Sequence, residues 1–208
     1  MEIGQKLRVT TRKAWRAWLE KNHARKKEIW LVYATKKSGK GRVDYSDAVE
    51  EALCFGWIDG TMKSIDENYF AQRFSPRRSR KSQLSETNKE RVRRMVRAEL
   101  MTPAGMEKIR DRMSEKFVLA PDIASALKRD PQTWKNFQRF PKWYQRVRVG
   151  WLDMSRGRQD IFESRLRYFL KMTKQNKRYG QVRDSALKER RFETADRTKK
   201  RRFQIAAP

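Results

Sequence analysis

Cys54 and His23 are the only cysteine and the only histidine in the chain. One thiol excludes an intramolecular disulfide, and this pair alone excludes any cysteine-cluster or multi-histidine metal site. No cofactor is expected. Long hydrophobic runs are missing too. No stretch approaches the ~18 apolar residues of a membrane-spanning helix, and the start, MEIGQKLRVTTRK, has no apolar segment that would direct secretion. The expectation is a cytoplasmic protein with no transmembrane segment. Acidic residues are few beside basic ones, 25 against 52, giving a formal net charge of +27. Self-repulsion on that scale calls for counterions or a polyanionic partner. Nucleic acid is the first candidate and an anionic membrane surface the second.

Apolar residues make up 38% of the chain and charged residues 37%. Seven Trp and ten Phe offset that shortage, because each aromatic buries a large area. Trp15, Trp18 and Leu19 recur at helical spacing, and Glu28–Tyr33 is a short β-branched and aromatic run suited to a strand. Ser46 is the expected cap of a second helix, with Val49, Ala52 and Leu53 on its buried side and Gly56 as its left-handed end. Thr61–Asp66 and Asn68–Ser75 read as a β-hairpin. The remainder is helical. Thr87 with Glu90 matches a capping box, Thr102-Pro103 and Asp130-Pro131 are helix starts, and Asp122 opens a further helix. Tyr144, Val147, Trp151 and Met154 form one apolar stripe; Phe162, Leu166, Phe169, Leu170 and Thr173 form another. The fold class is therefore α+β: a small antiparallel sheet with flanking helices in the N-terminal half, a helical C-terminal half, and a basic flexible tail. The expected parts are 1–82, 83–180 and 181–208. Residues 176–208 hold eleven Lys/Arg against four Asp/Glu, a composition that will not pack into a core.

The chemistry-bearing residues concentrate between Tyr45 and Arg97. Residues 73–97 carry ten Lys/Arg against Glu86 and Glu90. A basic loop feeding a helix start makes an anion cradle, since N–H groups and dipole point the same way. The anion-binding candidates are Arg73, Arg77, Arg78, Arg80, Lys81, Arg91 and Arg94. A candidate pocket is formed by Trp57, Asp59, Phe74 and Ser75, with Asp59 either bonding its own turn or facing the Arg73/Arg77/Arg78 cations. Cys54 sits among apolar neighbours near a helix C-terminus and reads as a core thiol. His23 reads as structural. No phosphate-binding glycine loop, zinc spacing, serine elbow or paired-carboxylate signature occurs. No catalytic residue is assigned, and binding is favoured over catalysis.

EALCFGWIDG followed by YFAQRFSPRR resembles the YdeI/OmpD-associated family, also called bacteriocin-protection proteins. RKAWRAWLEKNH, IWLVYATKK, SETNKERV, MTPAG and PDIASALKRDPQTWKNF extend the likeness over roughly residues 11–175. The resemblance implies an α+β N-terminal part, a helical C-terminal part, and an association with envelope stress or bacteriocin tolerance. It supplies no catalytic mechanism. The functional expectation is a non-enzymatic intracellular stress or bacteriocin-protection protein that binds polyanions through its arginine cluster. The alternative is a small-molecule anion-binding protein or enzyme with a pocket around Trp57, Asp59, Arg73 and Arg77.

Overall fold

Thr11 starts the first helix because its hydroxyl accepts from the Ala14 N–H, satisfying one of the donors that a helix start leaves open. In the computed structural model, which describes residues 2–78 and 83–180, this helix, α1, spans Arg12–Asn22. Before it lies the two-residue strand β1 (Lys6–Leu7), and after it β2 (Ile29–Ala34). Helix α2 covers Tyr45–Cys54, followed by the hairpin strands β3 (Trp57–Ser64) and β4 (Tyr69–Pro76). Helices α3 (Glu86–Arg97) and α4 (Pro103–Met113) complete the first part. The rest is helical: α5 (Pro121–Lys128), α6 (Pro131–Arg139), α7 (Lys142–Asp153) and α8 (Gln159–Lys174).

The sheet order is β1-β2-β4-β3. The three main strands are antiparallel, as expected, but β1 joins β2 in parallel, Lys6 beside Trp30, so the sheet is mixed. The lead-in is thus recruited as an edge strand, a non-local pairing with no short-range pattern to announce it. At the hairpin tip Asp66 accepts from the N–H groups of Asn68 and Tyr69, which sets the turn. Asp44, not Ser46, caps α2, its carboxylate accepting from the Ser46 and Asp47 N–H groups. A carboxylate two residues earlier meets the same donors and adds a favourable charge at the positive end of the helix. Ser85 likewise replaces Thr87 as the cap of α3, accepting from the Asn88 N–H. Asp122 lies in the first turn of α5 and Ala120 occupies the cap position. Thr102 and Asp130 cap as their sequence context indicates.

The chain divides into two compact units, residues 1–118 and 119–208. The first core joins Trp15 and Leu19 of α1, Ile29, Leu31 and Tyr33 of β2, Ala48 to Cys54 of α2, and Trp57 and Phe74 of the hairpin. Val92, Met95 and Ile109 from α3 and α4 enter the same core. Each large apolar side chain that is fully buried contributes ~1.5–3 kcal/mol, and Trp15, Trp57 and Phe74 are among the most enclosed. The second core joins Ile123, Leu127, Phe137, Val149, Leu152, Phe162 and Phe169. Met154, on the expected α7 stripe, is instead 70% exposed because the helix has already ended at Asp153. The expected basic tail, residues 181–208, lies outside the described residues.

Candidate functional site

The FGWIDG bend is where α2 hands over to β3, and most of it is core. Gly56 takes φ +74°, and a Cβ there would stand 3.1 Å from the Ala104 carbonyl oxygen. Gly105 is tighter still, because the start of α4 sits directly on the end of α2. The Thr102 N–H and hydroxyl both donate to the Cys54 carbonyl, at 3.1 and 2.6 Å. Trp57 is buried, and its indole N–H donates to the His23 carbonyl at 3.1 Å. Phe74 is fully buried, while Ser75 is half-buried opposite Ile58. Burial pushes the Cys54 thiol up to about 12, with the Glu51 charge adding to the effect. That leaves a packed thiol, not a nucleophile.

Asp59 turns away from Arg73 of β4. The register sets Asp59 beside Phe74, and successive residues of a strand face opposite sides, so Arg73 lies on the other face of the sheet. Asp59 accepts instead from the Tyr45 hydroxyl at 2.5 Å. Two further groups, Tyr33 and Arg91, lie near this pair. Tyr33 is 1% exposed, and its hydroxyl finds no hydrogen-bond partner. Burial first, then the nearby Tyr45, Asp59 and Asp44, holds that phenol well above its usual range. Burial and the bond to Asp59 do the same for Tyr45. Arg91 of α3 donates to the Asn88 side chain at 2.7 Å. Burial lowers its guanidinium pKa against the opposing pull of Tyr45, Glu50 and Asp59. The result is a polar cluster of two phenols, a carboxylate and a guanidinium, with Tyr33 and Asp59 on the same face of the sheet.

Three further arginines of the expected cluster are engaged within the fold. Arg73 pairs with Glu28, with contacts of 2.8 and 2.6 Å. Arg77 is buried and donates to the Gln83 carbonyl at 3.2 Å. Arg94 bridges to Glu50 at 2.7 Å. Arg78 is exposed, and Arg80 and Lys81 lie outside the described residues. Residue spacing gives no sign of the Arg73 and Arg94 pairings, since each carboxylate comes from a distant element.

Glu50 and Glu51 of α2 are buried despite their charge. Arg12 reaches Asp47, Glu50 and Glu51, and Arg16 reaches Glu51 at 2.7 Å. The available signal is the Glu-Glu pair set between Val49 and Ala52 on the apolar side of α2, matched by Arg12 and Arg16 four residues apart on α1. This network ties α1, α2 and α3 together. Among the described residues no group of His, Cys, Asp or Glu is arranged to hold a metal ion.

The second unit treats its charge differently. Residues 119–180 contain fifteen Lys/Arg against five Asp/Glu. Arg167, Lys171 and Lys174 follow one another along an exposed face of α8. No helix among the described residues is long and apolar enough to cross a membrane.

Residues 7–108 match a family model described as a domain of unknown function (DUF8412), and residues 116–176 match one described as Bacteriocin-protection, YdeI or OmpD-Associated. The ALCFGWIDG stretch falls within the first match, and PDIASALKRDPQTWKNF within the second. No curated protein and no solved structure matches the chain. Over residues 116–176 the chain therefore carries a domain of the YdeI/OmpD-associated, bacteriocin-protection family, preceded by a domain of unknown function.

Proposed function

We propose that this protein is a non-enzymatic polyanion binder of the cytoplasm, with nucleic acid as its first partner and a stress or bacteriocin-protection role. The observation that carries this reading is the uncompensated charge of residues 119–180. Its fifteen cations meet only five acids, and most of those cations are exposed. Exposed cations at this density exchange their counterions for phosphates, and the released ions drive association. The expected 73–97 cluster supports the reading less, because Arg73 and Arg94 already have carboxylate partners. A salt titration tests it. Binding to a labelled oligonucleotide must weaken steeply with ionic strength, with a log–log slope of about −0.9 per phosphate neutralised on duplex. Undetectable binding at low salt removes the proposal.

One observation favours a second reading, a small-molecule site at the polar cluster. The Tyr33 hydroxyl is buried without a partner near the Tyr45–Asp59 pair, which Arg91 also approaches. A small acid reaching Arg91 would supply an acceptor for that phenol. Trp57 and Arg73 drop out of the site, the first into the core and the second to Glu28. Thermal shifts with a panel of small carboxylates and phosphates, repeated on Tyr33→Phe, test this reading. A stabilising compound whose effect survives that substitution argues against it.

A further inference from the structure

Tyr144, Arg148 and Trp151 are spaced by four and three residues, so they lie on one face of α7. The chain returns to that face after α8, where the Tyr179 N–H donates to the Tyr144 hydroxyl at 3.0 Å. The return packs Tyr179 edge-on against Trp151 at 6.1 Å and against Tyr168 of α8 at 4.8 Å. Two guanidiniums are set among these rings. Arg148 lies 5.0 Å from the Tyr179 ring centre, 5.6 Å from Trp151 and 5.7 Å from Tyr144. Arg165 lies over Trp151 at 4.4 Å and donates to the Trp151 carbonyl at 2.8 Å.

Neither guanidinium is paired with a carboxylate among the described residues; of the acids nearby in sequence, Asp153 is engaged by Arg156 and Glu163 by Gln159 and Arg167. Arg148 is only 6% exposed, and its Nε has no hydrogen-bond partner. A charge so enclosed is costly unless something compensates it, and ring faces do so only in part. Tyr168 is 46% exposed, and Trp151 and Tyr179 are half-buried, so ring surface reaches solvent beside the two cations. Arg178 and Lys171 stand exposed in the same stretch of chain.

We infer that this α7–α8 face is a docking surface for single-stranded nucleic acid. The inference rests on the polyanion reading above and narrows it to a place and a form. A single strand offers phosphates for the half-buried Arg165 and the exposed Lys171, with the enclosed Arg148 adding its positive field from beneath, and unstacked bases for Tyr168 and its neighbours, so both halves of the patch are used at once. A guanidinium already lying flat on an indole presents its outer face as a further stacking platform. A duplex keeps its bases stacked on each other and engages the cations alone.

The experiment measures anisotropy at one salt concentration with a mixed-sequence single strand, the same sequence as duplex, and labelled inorganic polyphosphate, which has the charge without the bases. The single strand is expected to bind tighter than the duplex. Tyr168→Ala is expected to weaken single-strand binding about tenfold and to leave polyphosphate binding within about twofold, since no charge is lost. Tyr168→Phe keeps the ring and retains the affinity, which separates stacking from any effect on folding. Arg165→Lys keeps the charge but loses the planar stack, and falls between them. Polyphosphate binding with equal affinity for strand and duplex, or with Tyr168→Ala unchanged toward the single strand, overturns this inference alone. Failure of all three probes to bind overturns the polyanion reading and this inference together.

Discussion

The two units of this molecule enclose arginines by opposite means. In residues 1–118 four guanidiniums are matched by carboxylates, Arg12 and Arg16 to Glu51, Arg94 to Glu50 and Arg73 to Glu28, while Arg77 and Arg91 donate to amide oxygens. In residues 119–180, Arg148 and Arg165 are held by rings and carbonyl oxygens. Formal charge therefore overstates what the first unit offers a partner and describes the second more faithfully. A buried ion pair neutralises itself, whereas a guanidinium stacked on an aromatic face keeps its positive field. The same difference sets how each unit should respond to mutation.

The largest contrast is expected from removing one charge in each. Glu50→Gln leaves Arg94 and part of the Arg12 charge without a buried partner, and should cost about 3–5 kcal/mol in denaturant unfolding. Arg148→Met removes a charge that has no acidic mate, and should cost about 1 kcal/mol or less. Equal losses would abolish the distinction. Next come the glycines. A Cβ at Gly105 would stand 2.1 Å from the Cys54 carbonyl oxygen, while nothing lies within 4 Å of one at Gly157. Gly105→Ala should destabilise by about 2 kcal/mol. Gly157→Ala should be neutral or slightly stabilising, read as a thermal midpoint.

Cys54 gives a smaller effect, sharp in kind. Its thiol is buried and raised to about 12, so a disulfide reagent at pH 8 should label it only as fast as the first unit opens. Prompt stoichiometric labelling of the folded protein would contradict the packing at the end of α2. The smallest effect concerns acid. The Arg156 guanidinium holds the exposed Asp122 carboxyl below its usual range. The pair therefore supports the fold above the unfolded value of ~3.9, and that support fades as the pH falls through the lower folded value. Asp122→Asn should flatten this part of the acid profile slightly, because exposed pairs are screened.

Much of the scaffold is legible from local pattern. The Trp15/Leu19 spacing, the Phe162/Phe169/Thr173 stripe, Thr102-Pro103 and Gly56 each encode their own element, because caps and periodicity act over a few residues. The candidate site is less legible. Asp59 and the β4 arginines are close in sequence, yet strand register separates Asp59 from Arg73 by a sheet face and gives Asp59 to Tyr45. The buried Glu50 and Glu51 look like surface acids until α1 is laid across them. No spacing around Tyr179 announces that its N–H meets Tyr144.

The sequence by itself determined the α+β class, the helical stripes, the aromatic cores and the excess of positive charge, since these follow from composition and short-range spacing. Only the tertiary structure decided which cations are neutralised. Guanidinium partners come from elements tens of residues apart, and a side chain's charge is spent or kept according to what the fold brings within a few ångströms of it.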